Sequence, residues 1–132
     1  MSSGKNQIPI IQTKLCVPGL TTGLVNRNRL LDLMNDSLEY PLTLVSAPAG
    51  YGKSVLVSQW CHQQKHRTIW LSLDRADSDL SQFLSYLVAA IDKEFAGACS
   101  TTQEFINVPG PVPEAVIVSH LLNDLNELDH RC

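Results

Sequence analysis

Residues 47 to 54 read Ala47-Pro48-Ala49-Gly50-Tyr51-Gly52-Lys53-Ser54, a glycine-rich turn followed at once by Lys-Ser. Those residue types at that spacing suit the phosphate chain of a nucleotide. A loop that wraps phosphates must turn its backbone N–H groups inward, a conformation that tolerates little side chain, and Gly50 and Gly52 supply it. Lys53 is expected to reach the β- and γ-phosphates, and Ser54 to place its hydroxyl on Mg²⁺. A helix opening at this point would aim its positive end at the anion. Ala47 stands where the strict pattern has glycine, so the match is to the relaxed form. The competing reading is a glycine-rich turn between strand and helix that binds nothing.

Such a loop must be carried between a strand and a helix. Pro41-Leu42-Thr43-Leu44-Val45-Ser46 is short, apolar and partly β-branched, which predicts a buried strand. Ser54 to Cys61 predicts the helix, with Val57, Trp60 and Cys61 on one face. Upstream, Leu30, Leu31, Met34 and Leu38 recur at helical spacing behind Asn26, a suitable N-cap. Downstream, Arg67 to Leu73 reads as a second strand, which completes a βαβ unit. Asp79 is expected to cap a helix whose apolar stripe is Leu80, Phe83, Leu84, Leu87, Val88 and Ile91. Gly97 to Thr102 reads as a break, and Pro111-Val112-Pro113-Glu114 as the start of a last helix on Val118, Leu121, Leu122, Leu125 and Leu128.

The expected fold class is therefore α/β, a P-loop NTPase of the parallel-sheet type with flanking helices. Two strands make a poor sheet, so the pattern reads as the incomplete, N-terminal portion of such a domain. Residues 1–24 are expected to form an extended N-terminal segment, and residues 25–132 the N-terminal part of a P-loop nucleotide-binding domain.

Hydrolysis in proteins of this kind needs an acid at the tip of a neighbouring strand. Ile69-Trp70-Leu71-Ser72-Leu73-Asp74 is the apolar run that ends in one, which makes Asp74 a candidate for Mg²⁺ or substrate. Aspartate is also favoured at strand ends as a turn residue, and that reading stands beside it. Asp124, Glu127 and Asp129 lie in a helical pattern and read as a solvated face.

Composition narrows the class. With 44% hydrophobic and 17% charged residues in 132, the chain reads as globular and not as a disordered or fibrous protein. A formal net charge of -3 and the lack of a basic cluster give no electrostatic footprint for nucleic acid. No apolar run approaches the roughly 20 residues that cross a bilayer, and the polar start Met1 to Gln7 lacks a secretion signal's apolar core. A cytoplasmic location with no membrane partner is expected. Cys16, Cys61, Cys99 and Cys132 are scattered without metal-ligand spacing, which reads as free thiols. His62 and His66 lie four apart and read as a solvated helix end.

Several segments, taken in order, carry a family resemblance. They are Thr13-Lys14-Leu15 with Pro18, Leu24 to Leu31, Leu42 to Trp60, Trp70 to Asp74, and Phe83 to Ile91. Together they resemble the N-terminal nucleotide-binding region of the large, ATP-dependent LuxR-type transcription activators, which are signal-transducing P-loop ATPases. The resemblance runs from about residue 8 to the end. It implies ATP and Mg²⁺ as cofactors at Ala47 through Ser54, with Val25 and Arg27 contributing near the base or sugar. Arg27 reads equally well as a solvated helix start. The family's members are switches that bind ATP and an inducer, self-associate, and present a C-terminal helix-turn-helix to DNA. By the family pattern the Mg²⁺-binding aspartate pair follows residue 132, and the sensor and DNA-binding regions also lie outside these residues. DNA contact is thus expected only through a domain absent here, and the loop is expected to bind phosphate better than it hydrolyses. Two other functions remain open at this point. One is a small P-loop kinase using Asp74 as base or substrate ligand, and the other is a fragment with no activity of its own.

Overall fold

The computed structural model describes residues 9–20, 27–108, 110 and 112–131. Five α-helices occur among them: α1 (Asn28–Asp36), α2 (Lys53–Gln63), α3 (Leu80–Glu94), α4 (Ser100–Ile106) and α5 (Glu114–Arg131). Short 3₁₀ turns occupy Gln12–Leu15, Ser37–Glu39 and Arg75–Ser78. Among the described residues there is no strand and no sheet, so the expected parallel-sheet P-loop α/β fold and its βαβ unit are overturned in favour of a helical chain.

The physical reason lies in what a strand requires. Strand-like composition yields a strand only where a neighbouring backbone accepts and donates the ladder hydrogen bonds. Neither predicted run has such a ladder among the described residues. Leu42 and Leu44 are 84% and 87% exposed, where a buried strand would have hidden them. In the second run, the Ser72 N–H donates to the Lys14 carbonyl at 2.8 Å. That single bond ties Ser72 to the N-terminal segment.

The chain divides into two units, one continuous (Val17–Thr68) and one split in sequence (Met1–Cys16 with Ile69–Cys132). In the continuous unit, Leu31 and Met34 of α1 are buried with Leu56 of α2, and Leu30, Val45, Val57 and Trp60 pack around them. Trp60 Nε1 and Gln64 Nε2 both donate to Asn35 Oδ1, at 2.8 and 3.1 Å, tying the C-terminal end of α2 to α1. The predicted helix at Leu30 to Met34 is present; Leu38 falls in the 3₁₀ turn after it and is exposed.

In the split unit, α3 uses two faces. Leu84, Val88 and Ile91 join Cys99, Ile117 and Leu121 in one cluster, while Tyr86 and Ala90 cover Leu15 in another. The Asp79 side chain accepts from Gln82 N at 3.0 Å, so the predicted cap of α3 is in place. The predicted break at Gly97 to Thr102 is only partly a break, because α4 starts at Ser100, directly after a turn in which Gly97 takes φ 79°. The buried face of α5 is Ile117 and Leu121, with Leu125 packed beside them, whereas Val118 and Leu122 are exposed. Asp124 is buried and not on a solvated face as expected: it accepts from the Thr102 N–H at 3.0 Å and the Thr102 hydroxyl at 2.6 Å.

Candidate phosphate-binding loop

Two left-handed glycines shape the loop. Gly50 has φ 88° and Gly52 has φ 75°, conformations that an L side chain adopts only under strain. Gly52 is the N-cap of α2 and offers no side chain, so no side-chain cap ties up the first amides of the helix. The Tyr51 N–H donates to Pro48 carbonyl at 3.4 Å, and Leu56 N–H to Gly52 carbonyl at 2.9 Å, the bond that starts the helix. Gly50, Tyr51 and Ser54 are exposed.

Two cations belong to this loop. The Lys53 ammonium donates to the Ala47 carbonyl and so bridges the loop's first residue and the first residue of α2. Arg27, which directly precedes α1, donates from Nη1 to the Tyr51 carbonyl at 3.1 Å. A Cβ on Gly52 would stand 3.1 Å from Arg27 Nη2 and 3.3 Å from Nη1, so a side chain there would strain the backbone and crowd the guanidinium together. Both cations rest on neutral carbonyl oxygens. Backbone amides, an uncapped helix start and two positive side chains make a donor set that fits an anion.

Val25 lies outside the described residues. Asp74 is engaged in the split unit: its carboxylate accepts from Ala76 N at 2.8 Å as the cap of the Arg75–Ser78 turn, and pairs with Lys14 at 2.9 Å. Asp77 completes a capping box by accepting from Asp74 N at 2.8 Å, and also pairs with Lys14 at 2.8 Å. The Lys14 hydrogen bond, followed by the Asp74 backbone N–H, holds the Asp77 carboxyl down at about 2, and Asp77 and Asp74 in turn hold the Lys14 ammonium well above its ordinary range. Burial pushes the Cys61 thiol up. His62 Nε2 lies 3.2 Å from the Pro18 carbonyl, and no group of three or more metal-ligating side chains occurs among the described residues. No helix among those residues is long and apolar enough to cross a membrane.

The family resemblance names Arg27 for the site, but its bond to the Tyr51 carbonyl has no signal in the local sequence. The two residues are 24 positions apart, and no local pattern links them.

No protein-family model matches the chain, and no solved structure does. Curated proteins do. The HTH-type transcriptional regulator MalT of Yersinia pestis (strain Pestoides F) is 34% identical over 120 residues, which is 91% of this chain. The MalT proteins of Yersinia pseudotuberculosis serotype O:1b (strain IP 31758) and serotype O:3 (strain YPIII) match with the same identity over the same length. The chain spans 13% of the length of these curated relatives. Across nearly all of its own length, then, this chain is related in sequence to the MalT-type regulators of transcription.

Proposed function

We propose that this chain is the ATP-binding switch module of a transcription regulator, with the triphosphate held by Ala47 through Ser54. The observation that carries the reading is the arrangement at the start of α2. Two left-handed glycines and an uncapped helix end stand beside Lys53 and Arg27. The similarity to regulators of transcription supplies the context.

In this reading the backbone N–H groups of the loop and the first turn of α2 take the phosphate oxygens. Lys53 exchanges its bond to the Ala47 carbonyl for one to phosphate, which turns an internal clasp into a ligand contact. Ser54 supplies a hydroxyl to Mg²⁺, which neutralises the phosphate charge when bound. A ligand shifts a conformational equilibrium only by its differential affinity for the two states. ATP therefore acts as a switch by favouring the state that self-associates and activates transcription in the full-length protein. DNA is contacted by a part of that protein outside these residues.

Thermal unfolding of the chain with and without Mg-ATP tests the loop. Ligand at a hundred times its dissociation constant stabilises the folded form by about 2.7 kcal/mol, which raises Tm measurably. We expect Lys53→Ala to abolish that rise, and Ser54→Ala to remove the part that depends on Mg²⁺. A rise of undiminished size in Lys53→Ala would overturn the assignment.

A further inference from the structure

The three described cysteines have different surroundings. Cys99 is fully buried, and burial, with the Asp124 and Asp92 charges behind it, pushes its thiol up to about 11. Cys61 is half-buried on α2. Cys16 is exposed, one residue past the Gln12–Leu15 turn, and an amine meets it there. Lys93 of α3 donates to Cys16 Sγ at 2.9 Å and to the Leu15 carbonyl at 3.2 Å, across separations of 77 and 78 residues. Cys16 Sγ also donates to the Gln12 carbonyl at 3.4 Å.

This meeting is built in from both sides. Tyr86, Ala90 and Lys93 follow one another at spacings of four and three, so they share a face of α3. Leu15 is buried against Tyr86 and Ala90, which brings the next residue, Cys16, within reach of the Lys93 amine. Tyr86 fixes the approach further, because its hydroxyl accepts from Ile11 N at 3.1 Å and donates to the Pro9 carbonyl at 3.4 Å. An accessible sulfur and a primary amine are thereby held nearer than a van der Waals contact requires.

We propose that Cys16 and Lys93 form a modification site, at which hydrogen peroxide converts the thiol–amine pair into a covalent sulfur–nitrogen crosslink. Exposed thiols are oxidised first to sulfenic acids, which condense with a thiol to a disulfide or with a backbone nitrogen to a sulfenamide. The Lys93 amine, 2.9 Å from the sulfur, is a stronger nucleophile in the same position. In the first step the Cys16 sulfur attacks one peroxide oxygen. The O–O bond breaks, a proton makes the departing hydroxide water, sulfur is oxidised by two electrons and peroxide is reduced. In the second step Lys93 Nζ, in its neutral form, attacks the sulfenyl sulfur. The S–N bond forms, the S–O bond breaks, and the hydroxyl leaves as water with a proton from the amine. The sum consumes one peroxide, releases two waters and removes one hydrogen from each side chain. Two equivalents of an external thiol reverse it by reducing the S–N bond, returning thiol and amine and leaving a disulfide of the reductant. The crosslink would pin the N-terminal segment to α3 at the point where the chain leaves the split unit.

Peroxide treatment of the 132-residue chain, followed by peptide mapping with tandem mass spectrometry, tests the site. We expect a product lighter by two hydrogens, about 2 Da, with Cys16 and Lys93 in one crosslinked species that dithiothreitol cleaves. Mapping separates it from a disulfide of equal mass. In Lys93→Arg the crosslink should vanish and Cys16 should instead gain two or three oxygens, and Cys16→Ser should give neither product. Three results would each overturn the proposal: Cys16 in a disulfide with another cysteine, an N–O–S bridge retaining one oxygen, or equal rates of Cys16 over-oxidation in the native chain and Lys93→Arg. Circular dichroism of Lys93→Arg, which should match the native chain, guards against a folding defect.

Discussion

Lys14 joins two parts of the chain that lie far apart in sequence. Its ammonium pairs with Asp77 at 2.8 Å and Asp74 at 2.9 Å, and stands 4.8 Å from the centre of the Tyr86 ring. The Asp77 carboxyl is held at about 2 against an ordinary 3.8. A depressed carboxyl contributes stability that is present above its unfolded value and is lost as pH falls through its folded value. The window for this group is therefore about pH 4 down to about pH 2. The raised Lys14 adds no slope in that window, since its contribution is complete below its ordinary value and is lost only in strongly alkaline solution. We expect the melting temperature of the native chain to fall more steeply across the acid window than that of Asp77→Asn, followed by circular dichroism. Parallel slopes would mean that another carboxylate governs acid unfolding. The neighbouring cap of α3 was legible in the sequence, because Asp79 and Gln82 lie three apart. The pairing of Lys14 with Asp77 spans 63 positions and leaves no local trace.

At the scale of elements, the helices that sequence predicts well are those whose signals are local. α2 starts at Lys53, one residue before the predicted start, because the glycine turn marks its beginning and dictates the backbone there. α4 was not legible. Its Thr101 and Thr102 are β-branched and poor helix formers, and Gly97 ahead of them signals a break. It forms because Phe105 and Ile106 pack against the Leu84 and Ile117 cluster, and because Phe105 stacks on His120 of α5 with ring centres 4.0 Å apart. The Asp124 carboxylate then satisfies both donors of Thr102. Missing α4 is what made Asp124 look solvated, since its partner lies on the missed helix. Asp124→Ala leaves the buried Thr102 donors without their acceptor, and an orphaned buried group costs ~1–3 kcal/mol. We expect the urea midpoint to fall accordingly. Adding Thr102→Val should recover part of the loss, and a double variant as weak as the sum of the singles would show that the two residues do not act together.

For the whole molecule, burial is uneven. The split unit hides nine apolar residues in two clusters, whereas the continuous unit hides three among the described residues and leaves Leu33, Leu38, Tyr40, Leu42 and Leu44 exposed. Each fully buried Leu, Ile, Val or Met side chain contributes about 1.5–3 kcal/mol. The split unit holds six of them against three, and adds Tyr86, Ala90 and Cys99, so the surplus decides which unit opens first. Hydrogen exchange followed by mass spectrometry should find the amides of α1 and α2 exchanging well before those of α3. Equal protection would mean that the chain opens as one cooperative body. The α/β expectation failed at this scale because a sheet is a property of several strands together. Leu42 to Val45 has the composition of one strand, and composition does not supply its neighbours.

The discontinuity of the split unit also sets an order of events during translation. Residues 9–16 are synthesised early, yet Tyr86, Ala90 and Lys93, which hold Leu15 and Cys16, come much later. At ~5–20 residues per second, the ribosome needs about 4 to 15 s to cover the 77 positions between Cys16 and Lys93. Leu31, Met34 and Leu56 can find one another within that interval, while the segment ahead of them waits. A pause between codons 16 and 93 would lengthen the time for which Leu15 is offered to chaperones and the Cys16 thiol to oxidants in the surrounding solution.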